Sequence, residues 1–165
     1  MALDIVIMAA GKGTRMKSSL PKVLHRLAGR SLLQHVLHTA AQLGADRIVV
    51  VTGHGAEAVE ASVQAPNLCF VRQVPQLGTG HAVQQAVPRL HDDGTTLVLN
   101  GDVPLIEAAT ARALLAAAGG ANLALLTIEL DDPLPAVTDP VAVDAFGVAV
   151  TVNGSAAYAT SYCAG

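Results

Sequence analysis

The sequence predicts an α/β fold with a mostly parallel sheet and helices on both faces. Three observations carry this. Short apolar, β-branched runs alternate about five times with helix-length segments. Polar or glycine-rich clusters follow several of those runs, where strand exits belong. The chain has 165 residues, 52% of them hydrophobic, enough for one domain with a substantial core and too few for two.

Residues 4–8 read as a short strand of the kind buried on both faces of a parallel sheet. A polar loop follows to about Pro21. Residues 31–43 have helical spacing, with Ser31 as N-cap, Leu32, Val36, Leu37 and Ala40 as the apolar face, and Gly44 as the stop. Residues 47–52 form a second strand with Gly53-His54-Gly55 as its exit turn. Residues 56–64 form a second helix, on which Glu57 and Glu60 read as a solvated face. Residues 68–71 are a third strand. Residues 79–90 are helical, with Pro88 ending the helix early. Residues 95–100 are a fourth strand, residues 107–118 a helix stopped by Gly119-Gly120, and residues 123–130 a fifth strand.

The pattern changes after Asp132. Pro133, Pro135 and Pro140 interrupt it, Asp139 and Asp144 are the only later charges, and no Lys or Arg follows Arg112. The valines of residues 141–152 partly alternate, which is compatible with a strand or hairpin. The expected division is therefore a domain of residues 1–132 and a tail of residues 133–165.

Net charge is −3 and aromatic content 2%. Neither favours nucleic acid, which asks for basic surface and stacking platforms. No apolar run approaches a membrane span, and the apolar start, residues 5–10, is too short for a signal peptide. Cys69 and Cys163 are isolated thiols, without zinc or disulfide spacing. A cytoplasmic protein without membrane or nucleic-acid partners is expected.

The basic residues are unevenly placed. Lys12, Arg15, Lys17, Lys22, Arg26 and Arg30 fall in the first thirty positions, with Asp4 the sole acid among them. They surround a small-residue loop at the exit of the first strand, Ala9-Ala10-Gly11-Lys12-Gly13-Thr14-Arg15-Met16. In open α/β sheets, ligands bind beyond the carboxyl ends of strands. Small residues let a base or ribose approach the backbone. Gly11 and Gly13 can take positive φ and turn N–H groups toward phosphate oxygens. Lys12, Arg15 and Lys22 supply countercharge. The loop is not a dinucleotide fingerprint, since the third glycine position is Met16, and it lacks the spacing of a Walker loop. A ligand-free βα turn would explain the glycines alone; the flanking charges favour phosphate. The six histidines show no ligand spacing beyond His35 and His38, which lack a third partner.

The segment MAAGKGTRMKSSLPK, Met8 to Lys22, resembles the signature of the sugar-1-phosphate nucleotidyltransferases. Val23-Leu24-His25, Leu27-Ala28-Gly29, Leu33-Gln34-His35-Val36, Gln76-Leu77-Gly78-Thr79-Gly80-His81-Ala82 and Asn100-Gly101-Asp102-Val103-Pro104-Leu105 continue it at family spacing. Together they resemble the N-terminal uridyltransferase domains of bacterial bifunctional enzymes. The resemblance implies a Rossmann-like fold of the nucleotide-diphospho-sugar transferase type, here apparently truncated. It also implies a reaction in which UTP and N-acetylglucosamine 1-phosphate give UDP-N-acetylglucosamine and pyrophosphate with Mg²⁺. Such an enzyme serves peptidoglycan and lipopolysaccharide synthesis, and the parent enzymes form homotrimers through a further domain.

Residue by residue, the resemblance implies that Met8, Ala9, Ala10 and Gly11 contact the uridine. Arg15 neutralises the departing pyrophosphate and Lys22 steadies phosphates near the reacting phosphorus; these two are the catalytic candidates. Gln73 reads the uracil edge through its amide, and Gly78 and Thr79 close over the base. Asp102 binds Mg²⁺, and Asn100, Gly101 and Asp102 contact the substrate, Asn100 through its backbone at a position where some members carry Tyr. As plain structure, Lys22 would be a surface lysine after a proline turn and Asp102 a turn cap.

The resemblance stops after Asp131-Asp132-Pro133. The Gly-Tyr-Gly-Arg segment expected there is replaced by Leu134-Pro135-Ala136-Val137-Thr138. Sugar-binding Gly, Glu and Asn residues and a second magnesium ligand have no matches. A truncated, divergent or frame-shifted product would each read this way. Competing functions are a nucleotidyltransferase for another phosphorylated acceptor, a nucleotide-binding module without catalysis, and an inert fragment.

Overall fold

The computed structural model describes residues 2–13, 16–119, 122–126 and 147–151. Its organising strand is β1 (Leu3–Ala9), fully apolar after Asp4 and buried on both faces. Ile5, Ile7 and Ala9 join one hydrophobic cluster, while Val6 joins a second with Ala10, just beyond the strand. On one side β1 pairs in parallel with β4 (Arg47–Thr52), which pairs in parallel with β5 (Leu68–Arg72). On the other side it pairs in parallel with β6 (Thr95–Asn100). The chain thus steps from β1 outward to β4 and β5, then returns past β1 to β6. That reversal is the topological switch point, where open α/β sheets leave a crevice at their carboxyl edge.

The sheet is mixed rather than wholly parallel. Its order is β5-β4-β1-β6-β8-β7, where β7 is Leu123–Leu126 and β8 is Gly147–Thr151. β8 runs antiparallel to both β6 and β7. A strand from the segment after Asp132 therefore lies inside the sheet. Residues 127–130 of the expected fifth strand, and the rest of residues 133–165, lie outside the described residues.

α1 (Leu32–Gln42), α2 (Ala56–Ser62) and α4 (Ala108–Ala118) contribute Leu33, Val36, Val59 and Leu114 to the larger core cluster. α3 (Thr79–Ala86) places Ala82 and Ala86 in the cluster on the other face. Ser31 caps α1 as expected. Its hydroxyl accepts from the Gln34 N–H at 3.2 Å while the Gln34 side chain accepts from the Ser31 N–H at 2.8 Å, a reciprocal capping box. The buried stripe is Leu33, Val36, Thr39 and Ala40, so Leu33 takes the place expected of Leu32.

Other elements differ in detail. α2 stops at Ser62, two residues early, because Val63 turns extended to bury its side chain. α3 gives way to a 3-10 turn, Val87–Arg89, that accommodates Pro88. A small hairpin of β2 (Arg26–Leu27) and β3 (Arg30–Ser31) was not foreseen. Its two-residue turn has positive φ at both Ala28 and Gly29, which matches strand twist in tight hairpins. Glu60 is no free solvated charge: it accepts from Arg72 at 3.0 and 2.9 Å and from the Thr52 hydroxyl at 3.0 Å. At the amino end of β1, fully buried Asp4 accepts from the His91 backbone N–H at 2.6 Å and lies 2.8 Å from His91 Nδ1. This ties the segment before β6 to β1. Among the described residues, no helix is long and apolar enough to cross a membrane.

Candidate active site

Beyond the carboxyl ends of β1, β5 and β6 lies a cleft of about 340 Å³. Met8, Ala9, Ala10 and Gly11 form its floor as β1 runs out into the loop; Asn100 and Asp102 line the wall beyond β6. Gln73, one residue past β5, and Gly78 and Thr79, at the start of α3, line the opposite wall. Lys22 also lines the cleft. The structure thus brings together ten of the residues singled out in the sequence.

Three others stand differently. Gly13 is outside the lining but packs beneath Lys22. It adopts φ +58°, and a Cβ there would sit 3.1 Å from Lys22 Cβ. Gly101 is buried under the cleft, its N–H donating to the Met8 carbonyl at 2.9 Å. A Cβ at Gly101 would lie 2.9 Å from that oxygen and 3.2 Å from Val23 Cγ1, so only glycine lets β6 end against β1 here. Arg15, with Thr14, lies outside the described residues. Gly11 does not take positive φ, contrary to expectation; a Cβ there would meet open space, so its contribution is room beside the backbone.

Sequence reading missed Gln76, Val23 and Ala82 in the lining. Gln76 is the informative one. Its amide donates to the Ala10 carbonyl at 2.7 Å, and the His54 N–H donates to the same oxygen at 3.3 Å. A Cβ on Gly53 would come within 2.3 Å of Gln76 Nε2. Gly53 thus makes space for the clamp that holds the loop. Its signal was present in the Gln76-to-Ala82 motif, but the contact spans 66 residues, beyond any local pattern.

Lys22 Nζ forms an ion pair with Asp102, the two side chains being 43% and 30% exposed. Among the described residues no group of three His, Cys, Asp or Glu converges. One half-exposed carboxylate at a cleft suits a hard divalent cation that arrives with nucleotide phosphates and water, rather than one caged by protein. The first turn of α3 meets the cleft at Gly78 and Thr79, and Gly78 provides no side-chain cap.

A mostly parallel sheet with a glycine-rich exit loop, a lysine and a carboxylate at the switch point defines a nucleotidyltransferase-type domain with a Rossmann-like fold. Residues 5–153 match the MobA-like NTP transferase domain, and the chain belongs to that family. It is 73% identical over 135 residues to the bifunctional protein GlmU of Methylibium petroleiphilum, a match covering 79% of this chain and 29% of that protein. The bifunctional protein GlmU of Cellvibrio japonicus is 56% identical over 131 residues, again 79% of this chain and 29% of that protein. The chain thus spans under a third of the length of these relatives. Among solved structures, a nucleotidyl transferase from Methanothermobacter thermautotroptrophicus is 27% identical with a TM-score of 0.62, covering 70% of this chain and 57% of that one. A 4-diphosphocytidyl-2C-methyl-D-erythritol synthase from Anaerococcus prevotii is similar in fold, with a TM-score of 0.68 at 16% identity, covering 91% of this chain and 71% of that one.

Proposed function

We propose that this domain binds UTP and belongs to the transfer of its uridylyl group to N-acetylglucosamine 1-phosphate, releasing pyrophosphate and forming UDP-N-acetylglucosamine. The observation that supports this best is the convergence on one cleft of a small-residue loop, a Lys22–Asp102 pair and the Gln73–Gly78–Thr79 wall. The GlmU relatives, up to 73% identical, favour the sugar phosphate over other acceptors. Cytoplasmic cell-envelope precursor synthesis follows from the same resemblance, as does trimer formation by the longer parent enzymes.

The proposed chemistry needs no general base. The acceptor's phosphate oxygen is ionised near neutral pH, its second pKa being about 6. It forms a bond to the α-phosphorus while the bond from that phosphorus to the β-bridging oxygen breaks, and pyrophosphate carries the electron pair away. What remains for the protein is alignment and charge. Met8 to Gly11 offer backbone surface to the nucleoside. Gln73 and the Gly78 backbone face the base edge. Lys22 leaves Asp102 for the phosphates, and Arg15 meets the leaving pyrophosphate. Asp102, with Asn100 and Gly101 beside it, would hold Mg²⁺. When bound, Mg²⁺ would neutralise phosphate charge, with the nucleotide completing its shell.

We further propose that residues 1–132 carry the nucleotide half of this function and that residues 133–165 do not supply the usual sugar contacts. Calorimetry with UTP and Mg²⁺, paired with a pyrophosphate-release assay on this chain, tests both readings. Binding with little release is expected. Failure to bind UTP would overturn the nucleotide assignment. Rapid release dependent on N-acetylglucosamine 1-phosphate would show that residues 133–165 contribute to the sugar site.

A further inference from the structure

Gln73 is 4% exposed, yet it lines the cleft. Its backbone N–H donates to the Thr52 carbonyl at 2.8 Å, extending the β5 pairing by one residue and aiming the side chain at α3. There its amide nitrogen donates to the Gly78 carbonyl at 2.8 Å and lies 3.2 Å from His81 Nδ1. A carbonyl oxygen can only accept, so the nitrogen, not the oxygen, must occupy this position. Its second hydrogen then faces His81, which makes Nδ1 the unprotonated, accepting nitrogen of that ring. The proton of neutral His81 therefore sits on Nε2. Gln85, four residues along α3, has its amide 3.1 Å from Nε2. The atom there is its nitrogen, and two donors cannot bond; a half-turn of the amide brings its oxygen to the ring.

We propose that His81, backed by Gln85, is a positioning residue for base selection. It does not touch the base. It consumes the second amide hydrogen of Gln73, so that only the amide oxygen is left for the cleft. Among the described residues, no hydrogen bond reaches that oxygen. The wall of the cleft therefore presents an acceptor. A pyrimidine with a ring N–H at this edge, as in uracil, is complementary to it. Cytosine, with a bare ring nitrogen there, sets acceptor against acceptor. With the histidine gone, turning the Gln73 amide over sacrifices one hydrogen bond rather than two, and the site loses its preference.

This inference rests on the reading of Gln73 as the base-facing residue, and the experiment separates the two. UTP and CTP affinities are measured by calorimetry on this chain, unmodified and as His81→Leu and His81→Asn. His81→Leu removes the acceptor and keeps the bulk. His81→Asn returns an oxygen close to the place of Nδ1. The UTP-to-CTP preference is expected to fall by about twofold to tenfold in His81→Leu, the range for one hydrogen bond, and to recover in His81→Asn. Nitrogen-15 resonances of the unmodified chain report the tautomer directly, and Nε2–H is expected. A preference retained in His81→Leu, equal losses for both nucleotides, or a proton on Nδ1 would each overturn the role of His81 and leave the base reading standing. No preference in the unmodified chain would overturn both.

Discussion

Replacing Lys22 with Met should move two affinities in opposite directions. In the ligand-free chain Lys22 is paired with Asp102, and both side chains are well exposed, at 43% and 30%. Solvent screening limits such a pair to about 0–1 kcal/mol. A cation entering at Asp102 must displace that lysine, so its removal should tighten binding of Mn²⁺ alone by up to about fivefold, taking about 1.4 kcal/mol per factor of ten. Fold stability should barely change, with the melting temperature moving by no more than about 4 °C. Binding of UTP with the metal should weaken, because a charge-assisted hydrogen bond to phosphate is lost, worth about 1.5–3 kcal/mol or roughly tenfold to 150-fold. Paramagnetic broadening by Mn²⁺ reads the first quantity, and calorimetry with UTP and Mg²⁺ the second. If metal and nucleotide affinities fall together, Lys22 is shaping the loop rather than trading partners. If UTP affinity is unchanged, Lys22 does not meet phosphate.

Three further outcomes are expected. The hydrogen bond from Arg72, aided by the Thr52 hydroxyl and opposed by partial desolvation, holds the Glu60 carboxyl below its ordinary value of 4.5. Its stabilising contribution is full above that pH and is lost as pH falls through the depressed value. Melting curves of Glu60→Gln should therefore converge on those of the unmodified chain in acid, and a constant offset at every pH would contradict this. Gly101→Ala should cost about 1–3 kcal/mol, the usual range for overpacking, because its Cβ would press on the Met8 carbonyl at 2.9 Å; denaturant titration checks it, and UTP binding should weaken as the floor shifts. Arg15→Ala, made in a complete relative that turns over, should lower kcat by orders of magnitude while binding of uridine alone is unaffected; unchanged turnover would remove Arg15 from the reaction.

Much of the nucleotide side was legible because its signals are local. The Ser31–Gln34 box marks the start of α1 within a few residues, and the β-branched runs of β4 and β6 fix their own bounds. The small loop after β1 and its basic flank drew attention to phosphate on their own, while Met8 to Gly11, Lys22 and Asp102 were given their roles by the resemblance of contiguous motifs, which are local too. What was hidden depends on contacts far apart in the chain. Leu32 and Leu33 are adjacent leucines, and only packing against the sheet decides which of them is buried. The β2–β3 hairpin has two residues per strand, too few to show a period. Gln76 looks like any polar loop residue until Ala10 is placed beside it. His81 looks like a helix-surface histidine until Gln73 turns inward.

The place of β8 between β6 and β7 has a consequence for synthesis. β7 leaves the ribosome first, yet its pairing recorded in the sheet is with β8, whose residues 147–151 come later. Until those residues emerge, β6 has a partner on one side only, and its backbone from Thr95 to Leu99 offers an open row of donors and acceptors. Unpaired edges of apolar strands recruit other chains. A nascent chain halted between residues 126 and 147 would already hold the parallel core of β5, β4, β1 and β6, and would carry an adhesive margin along β6. The interval before β8 arrives is therefore the stage of synthesis at which the β6 edge is open to pairing with another chain.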